Sequence, residues 1–460
     1  MPSSIFWKRW ALAFLCSAAL FFLYLFGLTR TGLLGPDEPR YAAIGRAMAD
    51  SGDWITPRLW GDPWFEKPPL LYWMTAASFK AGLGPDLAPR LPVALLSVGF
   101  LVYFFAVLRR EFGVTPAAYA TTILATSVGW LAYSHVAVTD LPMSVAFAAA
   151  MLMVLTPPFA SDRYTAVAAG ALLGLAVLAK GLVPLVLFLP AVVFLRRRPY
   201  SLLLLFATAT IVALPWYALV TLRNGAPFLE EFFWKHHFER FTTSALQHEQ
   251  PFWFYVPVLA AVLFPWSPLL LLLFQQRTFE RRTLFLLAWF AWGFLFFSIS
   301  RNKLPGYLLP LLPPIAALLG IALAEAKSGS VKILCLLAAS SALLWFVPAI
   351  LEILPQALLQ GASHTEGRLA MGWIVPTLLV VAACAVLEMR RRRSLAVGLI
   401  ALLVTVSVIE LIARVYPELN RTVSARFLWH SDSITCIPAP NRSLRYGLYY
   451  YAGRSLPDCN

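Results

Sequence analysis

KRWALAFLCSAALFFLYLFGLTR, residues 8–30, decides the fold. From residue 10 to residue 28 it carries no charge, and one helix needs about 20 apolar residues to cross a bilayer. Lys8 and Arg9 stand just before the run. A cleaved signal peptide is the competing reading, but the run is long for one and no small-residue cleavage pattern follows. The segment is therefore expected to stay as a helix with its N-terminus in the cytoplasm. Further apolar runs lie near 91–108, 116–134, 140–157, 165–180, 182–195, 200–221, 252–274, 283–300, 305–324, 332–351, 370–388 and 395–413. The expectation is an all-α polytopic membrane protein with about 13 transmembrane helices.

Composition agrees. Of 460 residues, 60% are hydrophobic and 13% charged, whereas a soluble domain is nearer half apolar and a quarter charged. An ordinary cytosolic enzyme, a disordered chain and a disulfide-dense scaffold are excluded. The apolar runs are continuous rather than alternating, which argues against a transmembrane β-barrel. The net charge of +14 belongs to topology rather than to nucleic-acid binding, because the basic residues cluster between apolar runs. The even-numbered loops and the N-terminus hold 17 of the 37 basic residues but 5 of the 23 acidic ones. The positive-inside rule puts these segments in the cytoplasm, and thirteen crossings then put the C-terminus outside.

The long polar segments 29–90, 222–251, 352–369 and 414–460 all fall on the outer side, so the work is expected there. In GPDEPRYAAIGRAMAD (35–50), Asp37 can cap a helix with Pro39 in its first turn, and Ser51-Gly52 ends it. Tyr41, Ile44 and Met48 share one face, which suits a helix lying on the membrane surface. In DPWFEKPPLLYWM (62–74), Pro68 and Pro69 fix an extended approach to a second helix. Trp64, Phe65, Tyr72 and Trp73 suit the headgroup level. Glu66 and Lys67 stand just before that helix. Asp140 opens the fourth crossing at its outer end, where an acid is costly unless paired, although it or Thr139 could simply cap the helix. Lys180, at the outer end of its run, either snorkels or faces an anion, and Lys303 beside Arg301 and Asn302 has the same two readings.

The first loop resembles that of polytopic GT-C glycosyltransferases that use lipid-phosphate sugars, nearest the bacterial lipid A aminoarabinose transferases, with protein O-mannosyltransferases more distant. The strings that carry the resemblance are DEPRYA (37–42), SGDWITPRL (51–59), FEKPPLLYW (65–73), VTDLP (138–142), LAKG (178–181), FFWKHHFERF (232–241), QPFWFY (250–255) and KLPGYLLPLLPP (303–314). The resemblance implies a GT-C domain over 1–413, with its first periplasmic loop at 29–90 and a further outer loop at 222–251. A short periplasmic tail follows over 414–460. It implies inverting transfer of a sugar from undecaprenyl phosphate to lipid A or a related envelope glycolipid, at the periplasmic face of the inner membrane. No nucleotide cofactor is expected, which fits the lack of a Gly-rich nucleotide loop, and no nucleic-acid partner.

Site residues carry over from the same likeness. Asp37 and Asp140 match the two catalytic acids, for proton transfer or for stabilising charge on the sugar. Arg40, Lys67 and Tyr307 match positions holding the donor lipid phosphate, with Lys180 and Lys303 alongside. Glu66 and His237 match a metal pair, for which zinc is the expected ion. Two ligands make a weak site, and His236 or His248 is available as a third.

The aminoarabinose enzymes carry a larger outer domain where this chain has about 47 tail residues. YGLYYYAGRSLPDC, within that tail, reads as a strand-and-turn remnant. Cys436 and Cys459 either close a loop of 24 residues in an oxidising periplasm or remain two thiols. A bridge of that size contributes about 3 kcal/mol. Two other functions stay open: a protein O-glycosyltransferase, and a non-catalytic transporter of lipid-linked sugars. A transporter wants charges along a path through the membrane, whereas here they gather at one face.

Overall fold

The computed structural model describes residues 3–156, 163–232, 234, 250–275, 280–360, 371–431, 434–437 and 441–459. Eight helices among them are long and apolar enough to cross a membrane, or nine if the bent pair Phe252–Val262 and Ser267–Phe274 is one span. Four shorter apolar helices accompany them: Ala13–Tyr24, Val114–Ala125, Asp140–Leu155 and Val183–Phe194. Thirteen crossings require all four to span, which length alone does not decide. The expected run 116–134 is in fact two helices, Val114–Ala125 and Val128–Ser134, broken at Thr126-Ser127. The expected run 252–274 bends by 115° next to a cis Phe264-Pro265 bond.

The chain divides into two compact units. The first to concern function is residues 37–326, joined by 453–455. Small residues let its helices approach closely, the usual device where no water is expelled between apolar surfaces. In the Arg163–Lys180 helix, a Cβ on Gly170 would sit 2.3 Å from the Leu205 carbonyl oxygen, and one on Gly174 2.8 Å from that of Ala209. Both oxygens belong to the Pro199–Asn224 helix. Gly320 in the Leu312–Glu325 helix meets the Ala120 backbone the same way.

The outer segment 37–80 of this unit is built as the Pro and Gly signals indicated: a helix Asp37–Ser51, a two-residue hairpin, and a helix Leu70–Lys80. Arg58-Leu59 pairs antiparallel with Asp62-Pro63. Trp60 and Gly61 at its turn both have positive φ, the conformation a tight hairpin needs. One expectation fails here. Tyr41, Ile44 and Met48 do not lie on a lipid surface but are buried in the protein. The Tyr41 ring sits 5.9 Å from that of Tyr72, and Gly45 packs on Thr75, so the two helices clasp each other. Phe65 and Tyr72 are buried likewise rather than at headgroup level. An amphipathic face looks the same in sequence whether lipid or another helix covers it.

The second unit comprises residues 1–36, 327–452 and 456–460. It holds the Ser3–Tyr24 helix and the long apolar helices from Val331 to Glu410. A buried Arg393–Glu388 pair, at 2.8 and 3.0 Å, also takes the Gly329 N–H at 2.8 Å and so fixes the start of that bundle. Its tail is a second correction. Arg442–Ala452 is a helix, not a strand remnant. Asn441 accepts from the Ser443 N–H at its start, and Leu448 packs with Ala425, Ile437 and Leu456. The aromatic run has high strand propensity, but it folds as a helix with Leu448 and Tyr450 buried, and packing overrides propensity. Cys436 and Cys459 are joined, with their Cα atoms 4.9 Å apart.

Candidate active site

Asp37 and Glu38 open the same helix and do different things. Glu38 is fully buried and accepts from Nε and Nη2 of Arg90, at 2.7 and 2.8 Å. Its Oε1 also accepts the Ala137 N–H at 3.0 Å. One carboxylate thus ties the outer helix to the Leu87–Phe112 helix and to the turn three residues before Asp140. Asp37 keeps its side chain 48% exposed and pairs with Arg40, which is 5% exposed. Arg40 reaches on to Glu66 at 3.4 Å, and Glu66 accepts from Lys67 at 3.2 Å. The result is a chain of alternating charge: Asp37, Arg40, Glu66, Lys67. Arg40 lies 5.4 Å from the Trp64 ring centroid, and a guanidinium over a ring face is held in orientation as well as in place. Burial works to lower the Arg40 pKa, but the charges of Asp37 and Glu66 outweigh it and hold the group above its ordinary value.

Glu66 and Lys67 owe their position to their neighbours. Phe65 is buried among Val177, Leu178, Trp216, Val220 and Phe228. Trp216 donates to the Ile55 carbonyl at 2.9 Å, and Trp73 to that of Trp54 at 2.8 Å. Asp53 binds Arg223 at 2.9 Å and accepts the N–H groups of Ile55 and Thr56. Burial opposes its ionisation, yet the two N–H bonds and Arg223 hold the Asp53 carboxyl below its ordinary value. The loop is pinned to the end of the Pro199–Asn224 helix.

Asp140 begins the Asp140–Leu155 helix, and no side chain caps that helix. Its carboxylate instead meets the Lys180 ammonium at 2.5 Å. Lys180 in turn sits 4.8 Å from the Tyr307 ring centroid. Neither Asp140 nor Lys180 is therefore a mere cap or a snorkelling side chain. A Cβ on Gly306 would lie 2.5 Å from the Tyr133 hydroxyl and 2.8 Å from Asp140 Oδ1, so only glycine lets the Tyr307 segment come this close. Tyr133 is held by its own helix: Trp130 and Ser134 both donate to Ser97, at 2.7 and 2.9 Å.

Of the expected phosphate ligands, Arg40, Lys67, Lys180 and Tyr307 take part in these two clusters. Lys303 does not join them through any contact among the described residues. It is buried, donates to the carbonyls of Ser300 and of Gln250, and lines a separate cavity of about 480 Å³ with Arg301 and Phe252. Burial lowers its pKa from the ordinary lysine value. Glu66 is taken up by two cations, and no group of three metal-ligating side chains occurs among the described residues. His237, its expected metal partner, lies outside the described residues, as do His236 and His248. Glu38, Arg90, Tyr133 and Gly306 were not singled out from the sequence. Glu38 offered one signal, adjacency to Asp37; the others depend on contacts more than 50 residues apart in the chain.

Comparison with known proteins bears on the family and the fold. A family model described as dolichyl-phosphate-mannose-protein mannosyltransferase matches residues 66–221. The undecaprenyl phosphate-α-4-amino-4-deoxy-L-arabinose arabinosyl transferase 2 of Pseudomonas fluorescens is 34% identical over 405 residues, which cover 82% of this chain and 68% of that protein. The corresponding arabinosyl transferase of Pseudomonas aeruginosa is 35% identical over 319 residues, 66% of this chain and 58% of the relative. The chain thus spans about two thirds of the first and under three fifths of the second. The crystal structure of ArnT from Cupriavidus metallidurans bound to undecaprenyl phosphate superposes with a TM-score of 0.77 at 26% identity, over 98% of this chain and 85% of that one.

Proposed function

This chain belongs to the family of the undecaprenyl phosphate-4-amino-4-deoxy-L-arabinose arabinosyl transferases, and on that premise we propose that it moves a sugar from undecaprenyl phosphate to lipid A or a related envelope glycolipid. The enzyme is a multi-pass membrane glycosyltransferase of the GT-C fold. We place it in the inner membrane with its N-terminus in the cytoplasm and its site and C-terminus in the periplasm, following the distribution of basic loops.

One observation carries the reading. Three cations, Arg40, Lys67 and Lys180, are held beside carboxylates, and Asp37 alone among those carboxylates is half exposed. Such an arrangement suits a leaving phosphate. The acceptor oxygen attacks the anomeric carbon from the face opposite the donor phosphate. The bond from that carbon to the phosphate oxygen breaks, and the electron pair leaves with the lipid phosphate. Arg40 offers a planar fork and Lys67 and Lys180 point charges, which stabilise the added negative charge. The Tyr307 hydroxyl supplies a further donor. Asp37 stabilises the positive charge that builds on the sugar; with a hydroxyl acceptor it also takes the proton, and with an ionised phosphate acceptor no proton need move. Asp140 holds Lys180 in place. Glu66 serves as the bridge between Arg40 and Lys67.

Purified protein incubated with undecaprenyl-phosphate sugars and envelope acceptors, with products read by mass spectrometry, tests this. The expected result is a sugar mass on lipid A. Sugar on a protein hydroxyl would replace the acceptor, and tight binding of undecaprenyl phosphate with no transfer would replace the enzyme reading by transport.

A further inference from the structure

Far from this site, the same unit contains a cleft lined by another set of cations. It lies between the Leu189–Phe194 helix and the first half of the Arg281–Ile299 helix, with a volume of about 560 Å³. Arg281 is the first residue of a 19-residue helix whose last turn leads to Ser300 and Lys303, so about 28 Å separates the cleft from that end. Three arginines, Arg196, Arg197 and Arg281, line it where the two helices end and begin, and so form its charged rim. Neither Arg196 nor Arg197 forms an ion pair among the described residues. Arg281 is fixed in place: its centre sits 4.5 Å from the Phe194 ring centroid and it donates to the Phe194 carbonyl at 3.4 Å. One carboxylate, the exposed Glu280, is its neighbour in sequence.

Below this rim the walls are apolar. Leu189, Val193 and Leu284 are 42%, 54% and 52% exposed, and Trp292 closes the far end with its N–H bonded to the Val186 carbonyl at 2.9 Å. Exposed aliphatic side chains on a membrane-spanning helix face acyl chains. A charged rim directly above an acyl-chain surface, at the basic end of a bundle, matches one chemistry: a phosphate with hydrocarbon attached. A water-soluble anion has no use for the walls, and a neutral lipid has none for the rim.

We propose that this cleft binds an anionic glycerophospholipid, with its phosphate held by Arg196, Arg197 and Arg281 and an acyl chain laid along Val193, Leu284 and Trp292. The inference is independent of the transfer reaction. The site belongs to the bilayer's own lipid rather than to the donor.

The test uses the full chain in nanodiscs of phosphatidylcholine doped with phosphatidylglycerol whose acyl chains are brominated. Bromine quenches nearby indoles, and the Trp292 signal is the difference between the chain and Trp292→Phe. The expected result is half-maximal quenching at a phosphatidylglycerol fraction about tenfold below that needed with brominated phosphatidylcholine. Arg196→Gln with Arg197→Gln is expected to remove most of that preference, as is 0.5 M salt. Both arginines are exposed, so the double variant folds. Native mass spectrometry of phosphatidylglycerol retained by the chain and by the double variant gives the same comparison without Trp292→Phe. Equal quenching by the two lipids overturns the proposal, as does an unchanged preference in the double variant. Displacement by millimolar inorganic phosphate also overturns it, because the rim would then bind a soluble anion.

Discussion

Asp37 and Glu38 are adjacent acids, each paired with an arginine, and their surroundings make them opposites. Glu38 and Arg90 are 0% and 2% exposed and satisfy each other in two parallel bonds. Asp37 is half exposed, and its partner Arg40 is shared with Glu66. A buried, fully satisfied pair fixes where helices meet; a pair open on one side can exchange its partner for a ligand. The same residue types thus serve the scaffold and the site one position apart.

The widest break in that comparison comes from Asp37→Asn. Turnover is expected to fall about 10²- to 10⁴-fold, the usual range for losing a proton-transfer or charge-stabilising group, with undecaprenyl phosphate still bound and the unfolding midpoint unchanged. Turnover at the wild-type rate would remove Asp37 from the reaction. Glu38→Gln is expected to show the reverse order of effects. Leaving Arg90 buried without its anion costs about 3–5 kcal/mol of stability, read as a lowered unfolding midpoint in detergent. Adding Arg90→Gln should recover part of the loss, since no unpaired charge then remains. An unshifted midpoint in Glu38→Gln would make the pair dispensable to the fold.

Gly306→Ala sharpens the contrast at a smaller scale. The new methyl meets the Tyr133 hydroxyl and Asp140, and strain of about 1–3 kcal/mol is expected to appear mostly as slower turnover. Tyr133→Phe in the same chain removes the nearest obstructing atom and should restore part of the rate; no rescue would place the strain elsewhere. The smallest effect concerns Asp53. Its carboxyl titrates below the ordinary value in the folded chain, so the stability it adds is complete above the ordinary carboxylate pKa. That stability is lost as pH falls through the lowered value. Asp53→Asn should therefore lower the midpoint by about 1 °C near neutrality, with the two proteins converging in acid. A constant difference across pH would mean that the Asp53 charge adds nothing.

The same division appears in what the chain's pattern revealed. Asp37–Ser51 begins and ends where its Pro and Gly signals say, because caps and breakers act through the local backbone. The Leu87–Phe112 and Pro199–Asn224 helices follow the apolar runs for the same kind of reason. The covered face of Asp37–Ser51 was not legible, since lipid and protein select the same apolar residues. Nor was the helical tail, where aromatic residues with strand propensity are recruited by packing on Ala425 and Ile437. In the site, motif likeness reached Asp37, Arg40, Lys67, Asp140, Lys180 and Tyr307, but Lys303, from the same string as Tyr307, turns to a different cavity.

By itself, then, the order of residues determined the membrane helices, the outer loop with its short helix, and the kinds of charge available for the chemistry. These follow from hydropathy over about 20 residues and from local backbone limits, which need no partner. Only the tertiary structure decided which acid is buried and which is open, that Lys180 faces Asp140, and that Gly306 admits Tyr133. Those outcomes depend on distances between segments 40 to 173 residues apart, and no local preference encodes a distance.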